Sequence, residues 1–229
     1  MFNEAKYILN QRSKELNTII KHLETMDAMT SAIHKASIIM TSAIHKASII
    51  MMLYNVIEGT FYVLLKEVFD YAKNNPCGLP EAFYITIAEY HAKQIFEKGQ
   101  TKKNKNSWGK ELLKFKERES IPIPTLDSIK PFSGNLDAKS IRDISKNYGV
   151  VIKYDLYDNE ILFIKDKRNA LSHGNVSYAQ AGRDRTLKEI KCHKIATIKC
   201  LKNIIKSFEQ VYSDIKSAEI PAIWGSDEN

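Results

Sequence analysis

Arg168 and His173 stand five positions apart in the stretch Arg168-Asn169-Ala170-Leu171-Ser172-His173, which Gly174 closes. Arginine stays charged at any working pH and grips phosphate through a fork of donors, whereas histidine changes charge near neutrality and can move a proton. Set about one helical turn apart at a helix end, the two suffice for cutting RNA without a metal. The 2'-hydroxyl beside each RNA phosphate is a built-in nucleophile that needs only a base, an acid and a stabilising cation. The spacing alone leaves a structural alternative open, an arginine that caps helix-end carbonyls.

Other residues could serve the same chemistry. Glu58 lies in a strongly apolar stretch, where a carboxylate is seldom buried without a partner, and Asn55 three residues before it faces a similar side. Glu58 either holds Arg168 in place or forms a structural ion pair with a lysine. Lys102, Lys103 and Lys105, with Trp108 nearby, offer phosphate contacts and base stacking, or else make up a solvated loop. Arg183 is a further candidate RNA-binding cation. Cys77, Cys192 and Cys200 are odd in number and form no C-x-x-C pair, which speaks against a disulfide framework and a zinc site. Cys192-His193 lies in a regular helical pattern with no second ligand pair, so a packed or solvated role is expected there and no metal ligand is assigned.

Helices must position these groups. Residues 4–26 carry apolar side chains at helical spacing among polar ones. The segment 49–72 is apolar enough for a central core helix, ended by Asn74-Asn75-Pro76-Cys77-Gly78. Pro80 opens a helix reaching about Lys98. Residues 99–107 read as a polar cationic loop, and Pro122, Pro124 and Pro131 exclude a long helix over 119–133. Ser133 to Asp137 offers caps to a short helix ending near Tyr148-Gly149, and 150–154 reads as a brief extended segment. Asp158 is expected to cap the helix that carries Arg168 and His173. Thr186 to Glu189 forms a capping box for a helix to about Lys216. The fold class is therefore all-α, a bundle with a long core helix and one short extended segment. It occupies residues 1–219 as a single domain, with 220–229 a loose tail.

One feature is unusual. Residues 29–39, Met-Thr-Ser-Ala-Ile-His-Lys-Ala-Ser-Ile-Ile, recur without a change as 40–50. A perfect short repeat marks a recent duplication rather than a solenoid. Eleven residues at about 100° each make three turns plus roughly 20°, so an added copy keeps the apolar face nearly in phase while adding about 16 Å of helix. The copy either extends the helix or bulges as a loop.

The chain as a whole sets bounds. It has 229 residues, 44% apolar and 27% charged, in the range of an ordinary globular protein with one well-filled core. A net charge of +7 and a pI near 9.1 favour a polyanionic partner such as RNA. Asn55, Glu58 and Thr60 interrupt the most apolar stretch and no leader pattern is read, so the expectation is a cytoplasmic protein without a membrane partner.

Three blocks stand out: Leu53-Tyr54-Asn55-Val56-Ile57-Glu58, then Phe132 to Asp137 with Ile141-Arg142 and Lys146 to Gly149, then Lys167 to Asn175 with Ser177-Tyr178 and Gly182-Arg183. In this order they resemble the HEPN superfamily of all-helical nucleotide-binding and ribonuclease domains, in its MAE-like branch linked to toxin and phage-defence operons. Ser172 stands where the family usually has alanine. The resemblance implies a helical bundle whose homodimer sets two R-x4-H motifs face to face in one composite cleft. Arg168 and His173 would then be catalytic, and Asn169 would help orient the site. No cofactor or metal is implied. The function implied is a metal-independent endoribonuclease toxin of a toxin-antitoxin or abortive-infection system, leaving 2',3'-cyclic phosphate and 5'-hydroxyl ends and held in check by a cognate antitoxin protein. The alternative is a HEPN domain that binds RNA or protein without cutting.

Overall fold

A computed structural model describes residues 1–28, 35–76, 78–99 and 122–218. They form α1 (Asn3–Ala28), α2 (Lys35–Asn74), α3 (Glu81–Gly99), α4 (Leu126–Ile129), α5 (Ala138–Asn147), α6 (Asp158–Ser172), α7 (Tyr178–Arg183) and α8 (Leu187–Ala218). No strand occurs among the described residues, and the class is all-α. The cationic loop with Lys102, Lys103, Lys105 and Trp108 lies outside the described residues, as do Cys77 and the tail 220–229.

The bundle is built around α2, 40 residues and about 60 Å long. Leu53, Tyr54, Val56, Ile57, Phe61, Leu64, Leu65 and Val68 are all buried on one broad apolar side, covered by packing against α1, α6, α7 and α8, while Asn55, Lys66 and Asp70 keep a narrow polar side exposed. The stretch Ile39–Asn74 is long and apolar enough to cross a membrane, yet 56% of its most apolar window is buried inside the bundle. That burial makes it a core helix. The chain ends meet on it: Phe2 packs edge-on against Phe208 and Tyr212 at 6.2 and 6.0 Å between ring centres.

Caps fix the shorter elements. Asp137 caps α5, its carboxylate accepting the Ser140 N–H at 2.8 Å. The Thr186 and Glu189 box opens α8 as its sequence predicts: the Thr186 N–H donates to Glu189 at 2.7 Å and the Glu189 N–H to the Thr186 hydroxyl at 3.2 Å. A second capping box, Ser177 with Gln180, opens α7. Asp158, however, does not cap α6. Tyr157 holds the cap position with φ 55° and gives no side-chain bond, while Asp158 is the first helical residue and takes a bidentate contact from Arg142 at 2.6 and 2.7 Å. The forked pair links α5 to α6, and the pairing holds the Asp158 carboxyl below its ordinary value. Residues 150–157 are non-helical but pair with no strand. Val150 and Leu156 anchor this connection in the core.

The duplicated segment settles into α2. All of the second copy and Lys35–Ile39 of the first are helical. Identical residues meet different fates: Ile50 is fully buried, whereas its counterpart Ile39 is 55% exposed. In the second copy Ala43 and Ala47 are the packing surface for α7 and for the end of α6. Ala47 clusters with Leu171 and Ala181, and a Cβ on Gly182 would stand 1.8 Å from the Ala43 carbonyl oxygen. Small residues on both sides let the two backbones touch.

Candidate active site at the end of α6

Lys165, Arg168 and Asn169 lie at i, i+3 and i+4 on α6 and therefore share one face. That face docks on the loop 133–137. Lys165 donates to the Asp137 carboxylate at 3.2 Å, Arg168 Nη1 to the Gly134 carbonyl at 3.1 Å, and Asn169 Nδ2 to Asn135 Oδ1 at 2.8 Å. Arg168 Nη1 also donates to Asn169 Oδ1 at 3.0 Å. The guanidinium carbon lies 4.6 Å from the centre of the Tyr54 ring, a cation–π contact. Tyr54 is itself fixed, because its buried hydroxyl accepts the Leu136 N–H at 3.0 Å. The loop thus receives α2 on one side and α6 on the other, and the half-buried guanidinium sits between them.

The electrostatics follow. Burial, seconded by Glu58, raises the Tyr54 phenol above its ordinary value against the opposing pull of the Leu136 bond, Arg168 and Lys165. Burial alone would raise Asp137, but the bonds from Ser140 and Lys165 outweigh it and hold the carboxyl below its ordinary value. Tyr54 stays a neutral phenol and Asp137 a carboxylate at neutral pH.

His173 is built differently. It is the last residue of the helical path, and its N–H donates to the Asn169 carbonyl at 3.0 Å. Beyond it, the Gly174 N–H donates to the Leu171 carbonyl at 3.2 Å and the Asn175 N–H to the Ala170 carbonyl at 2.9 Å, the bond pair of a Schellman motif. Gly174, at φ +70°, is the left-handed residue that this motif requires. The backbone is fixed while the imidazole stays exposed. Five residues advance a helix by about 500°, so Arg168 and His173 leave α6 roughly 140° apart rather than on one face. Among the described residues no hydrogen bond joins them within one chain.

Residues 6–216 match the family model of the MAE_28990-like HEPN proteins. The chain belongs to that HEPN family. Family membership supports an RNA-cleaving or RNA-binding domain. No curated protein and no solved structure matches the chain significantly.

Within this HEPN chain the remaining candidates scatter. Glu58 makes no ion pair with Arg168 or any lysine among the described residues. Its Oε1 instead stands near Gly134, 3.7 Å from where a Cβ would be, as Arg168 Nη2 does at 3.5 Å. Asn55 is exposed in a shallow groove with Arg12 and Glu15 of α1, and no described polar contact brings it to Arg168. Ser172 and Arg183 are exposed, the first beside His173 and the second at the end of α7. His193 is a packed residue: its ring stacks on Phe163 at 4.5 Å, Arg185 lies 4.2 Å from that same ring, and neither ring nitrogen of His193 has a hydrogen-bond partner. Cys200 is buried, and burial pushes its thiol up to about 12. Among the described residues no group of three or more His, Cys, Asp or Glu is placed to hold a metal ion.

Tyr54, Gly134, Asn135 and Asp137 fall in the blocks that carry the resemblance, yet no site role was read for them, and Lys165 lies outside those blocks. The i, i+3, i+4 spacing of Lys165, Arg168 and Asn169 was the available signal for one docking face. Nothing local pairs that face with a loop thirty residues earlier.

Proposed function

We propose that this HEPN protein is an endoribonuclease that works as a homodimer, two copies of Arg168 and His173 sharing one cleft. The observation that carries the reading is the contrast at the end of α6: a guanidinium clamped between the 133–137 loop and the Tyr54 ring, and an imidazole left accessible on a rigid cap. The roughly 140° between the two side chains suits a division of labour across two subunits. One histidine takes the proton of the 2'-hydroxyl as its oxygen attacks phosphorus, and the other gives a proton to the departing 5'-oxygen, each step contributing typically ~10²-fold or more. The arginines offset charge on the crowded phosphorane. Products are a 2',3'-cyclic phosphate and a 5'-hydroxyl, and no metal takes part. In the cytoplasm such an enzyme would act as a toxin in a toxin-antitoxin or abortive-infection system, restrained by a cognate antitoxin protein.

The test is RNA cleavage in EDTA, alongside a measurement of particle mass. The expected result is a dimer that cuts RNA, leaves DNA intact and loses ~10²-fold or more of its rate in His173→Ala. A requirement for magnesium, or equal cleavage of DNA, would overturn the 2'-hydroxyl mechanism. A second reading, a HEPN module that binds RNA or protein without cutting, draws on one observation: Arg168 Nη1 is already spent on Gly134 and Asn169, as a structural arginine's donors are. Under that reading both Arg168→Ala and His173→Ala leave cellular growth indifferent.

A further inference from the structure

The seam where α1 and α8 run antiparallel carries two open hollows that no part of the site above uses. One, of about 320 Å³, is lined by Lys6, Lys202 and Lys206 with Glu209, and the other, of about 270 Å³, by Lys21, Lys191 and Lys194 with Glu24. Asn10 lines the first and Asn17 the second. Six lysines thus face two glutamates along a line that, from residue 191 to 209 of α8, spans about 27 Å at the helical rise. Both carboxylates are occupied, Glu209 by Lys6 and Glu24 by Lys191. Lys21, Lys194, Lys202 and Lys206 have no carboxylate within 4.0 Å among the described residues, although Lys194 donates to Asn17. Partial burial lowers the Lys194 ammonium below its ordinary value, a cost set by the low-dielectric wall it sits against. At the end of the row Lys206 lies 4.8 Å from the Tyr154 ring, which brings an aromatic side chain to the edge of the groove.

We infer that the α1/α8 seam is a track for a nucleic-acid phosphate backbone, a second RNA-binding surface apart from the R-x4-H cleft. Four lysines without a carboxylate partner, three on α8 and one on α1, are spread along one seam and match a ligand whose charges also repeat along a line. The asparagine amides can donate to phosphate oxygens beside the lysines. The inference rests on the reading that RNA is the substrate, and it adds how a long RNA is held while one bond is cut. The lysines read charge rather than base edges, so the track is indifferent to sequence.

The test uses the full-length chain and a 20-nucleotide single-stranded RNA bearing 2'-O-methyl groups, which lacks the attacking hydroxyl and so survives binding. Anisotropy titrations at 50, 100 and 200 mM salt compare the wild type with Lys21→Gln/Lys202→Gln/Lys206→Gln, exposed changes that leave Arg168 and His173 untouched. If each lysine neutralises a phosphate, the log–log salt slope falls by about 0.7 per contact, roughly 2 in all, with at least tenfold weaker binding at 50 mM. Cleavage of a dinucleotide, too short to reach the seam, is expected to remain at the wild-type rate. An unchanged slope and affinity for RNA overturns the proposal, including the case in which the variant loses binding only to an acidic protein. If the wild type cuts no RNA while the variant still loses RNA binding, the nuclease reading falls and the track stands.

Discussion

Arg168 is held by contacts of unequal kind, which can be separated by substitution. Tyr54→Phe keeps the ring face but strands the buried Leu136 N–H, so it costs stability by about 1–3 kcal/mol with little change in the position of the guanidinium. Tyr54→Leu removes the face as well, and under the nuclease reading it lowers the cleavage rate beyond what the stability loss accounts for. Denaturant melts together with rates at full folding distinguish the two, and equal rates for both variants would dismiss the cation–π clamp. His193 yields a prediction in pH. Burial first, then Arg185, lowers its imidazole below the ordinary 6.5, so the folded chain prefers the neutral ring. Above pH 6.5 both folded and unfolded states are neutral there and stability is indifferent. As pH falls below 6.5 the unfolded chain takes up the proton first, and stability is lost until the folded ring titrates too. His193→Phe should flatten that acid limb in thermal melts run between pH 7.5 and 5.

At the scale of elements, the docking of α7 on α2 depends on an absent side chain. Gly182→Ala would drive a Cβ into the Ala43 carbonyl, a backbone atom that cannot rotate aside, and the cost expected is about 1–3 kcal/mol or more, several degrees of Tm for a chain of this size. A melt unchanged from wild type would mean that α7 is not seated as described. Helices were largely legible in the residues, since apolar periodicity and the Thr186 box bear on neighbours within a few positions. The extent of α2 was less so: sequence left the second repeat free to be helix or loop, and packing of Ala43 and Ala47 against α6 and α7 decided it. The Asp158 expectation failed for a related reason. An acidic residue at a helix start reads equally as a cap or as a first-turn residue, and the Arg142 fork sixteen positions away selects between them. In the candidate site, Arg168, Asn169 and His173 announced themselves by type and spacing, whereas the loop that grips the first two is a long-range partner that no local pattern names.

For the molecule as a whole, the repeat is a perturbation the fold can be tested against. A chain lacking residues 29–39 joins Ala28 directly to Met40, so the start of the surviving copy has to unwind to reverse the chain, next to the Ala43 and Ala47 contacts with α6 and α7; it should still unfold cooperatively as a helical bundle, at a cost of about 1–3 kcal/mol. Circular dichroism and a urea titration check this, and loss of cooperative unfolding would assign the first copy a structural role. Whether cleavage differs between the two lengths then reports on assembly rather than on folding. The edge-on packing of Phe2 against Phe208 and Tyr212 carries a separate consequence. Residues more than two hundred positions apart close the bundle, so its last layer cannot form until the ribosome has made nearly all of the polypeptide. A nascent chain would have Tyr54, the 133–137 loop and Arg168 clear of the ribosome while α8 is still being made, so the groups of the candidate site wait uncovered until the last helix arrives.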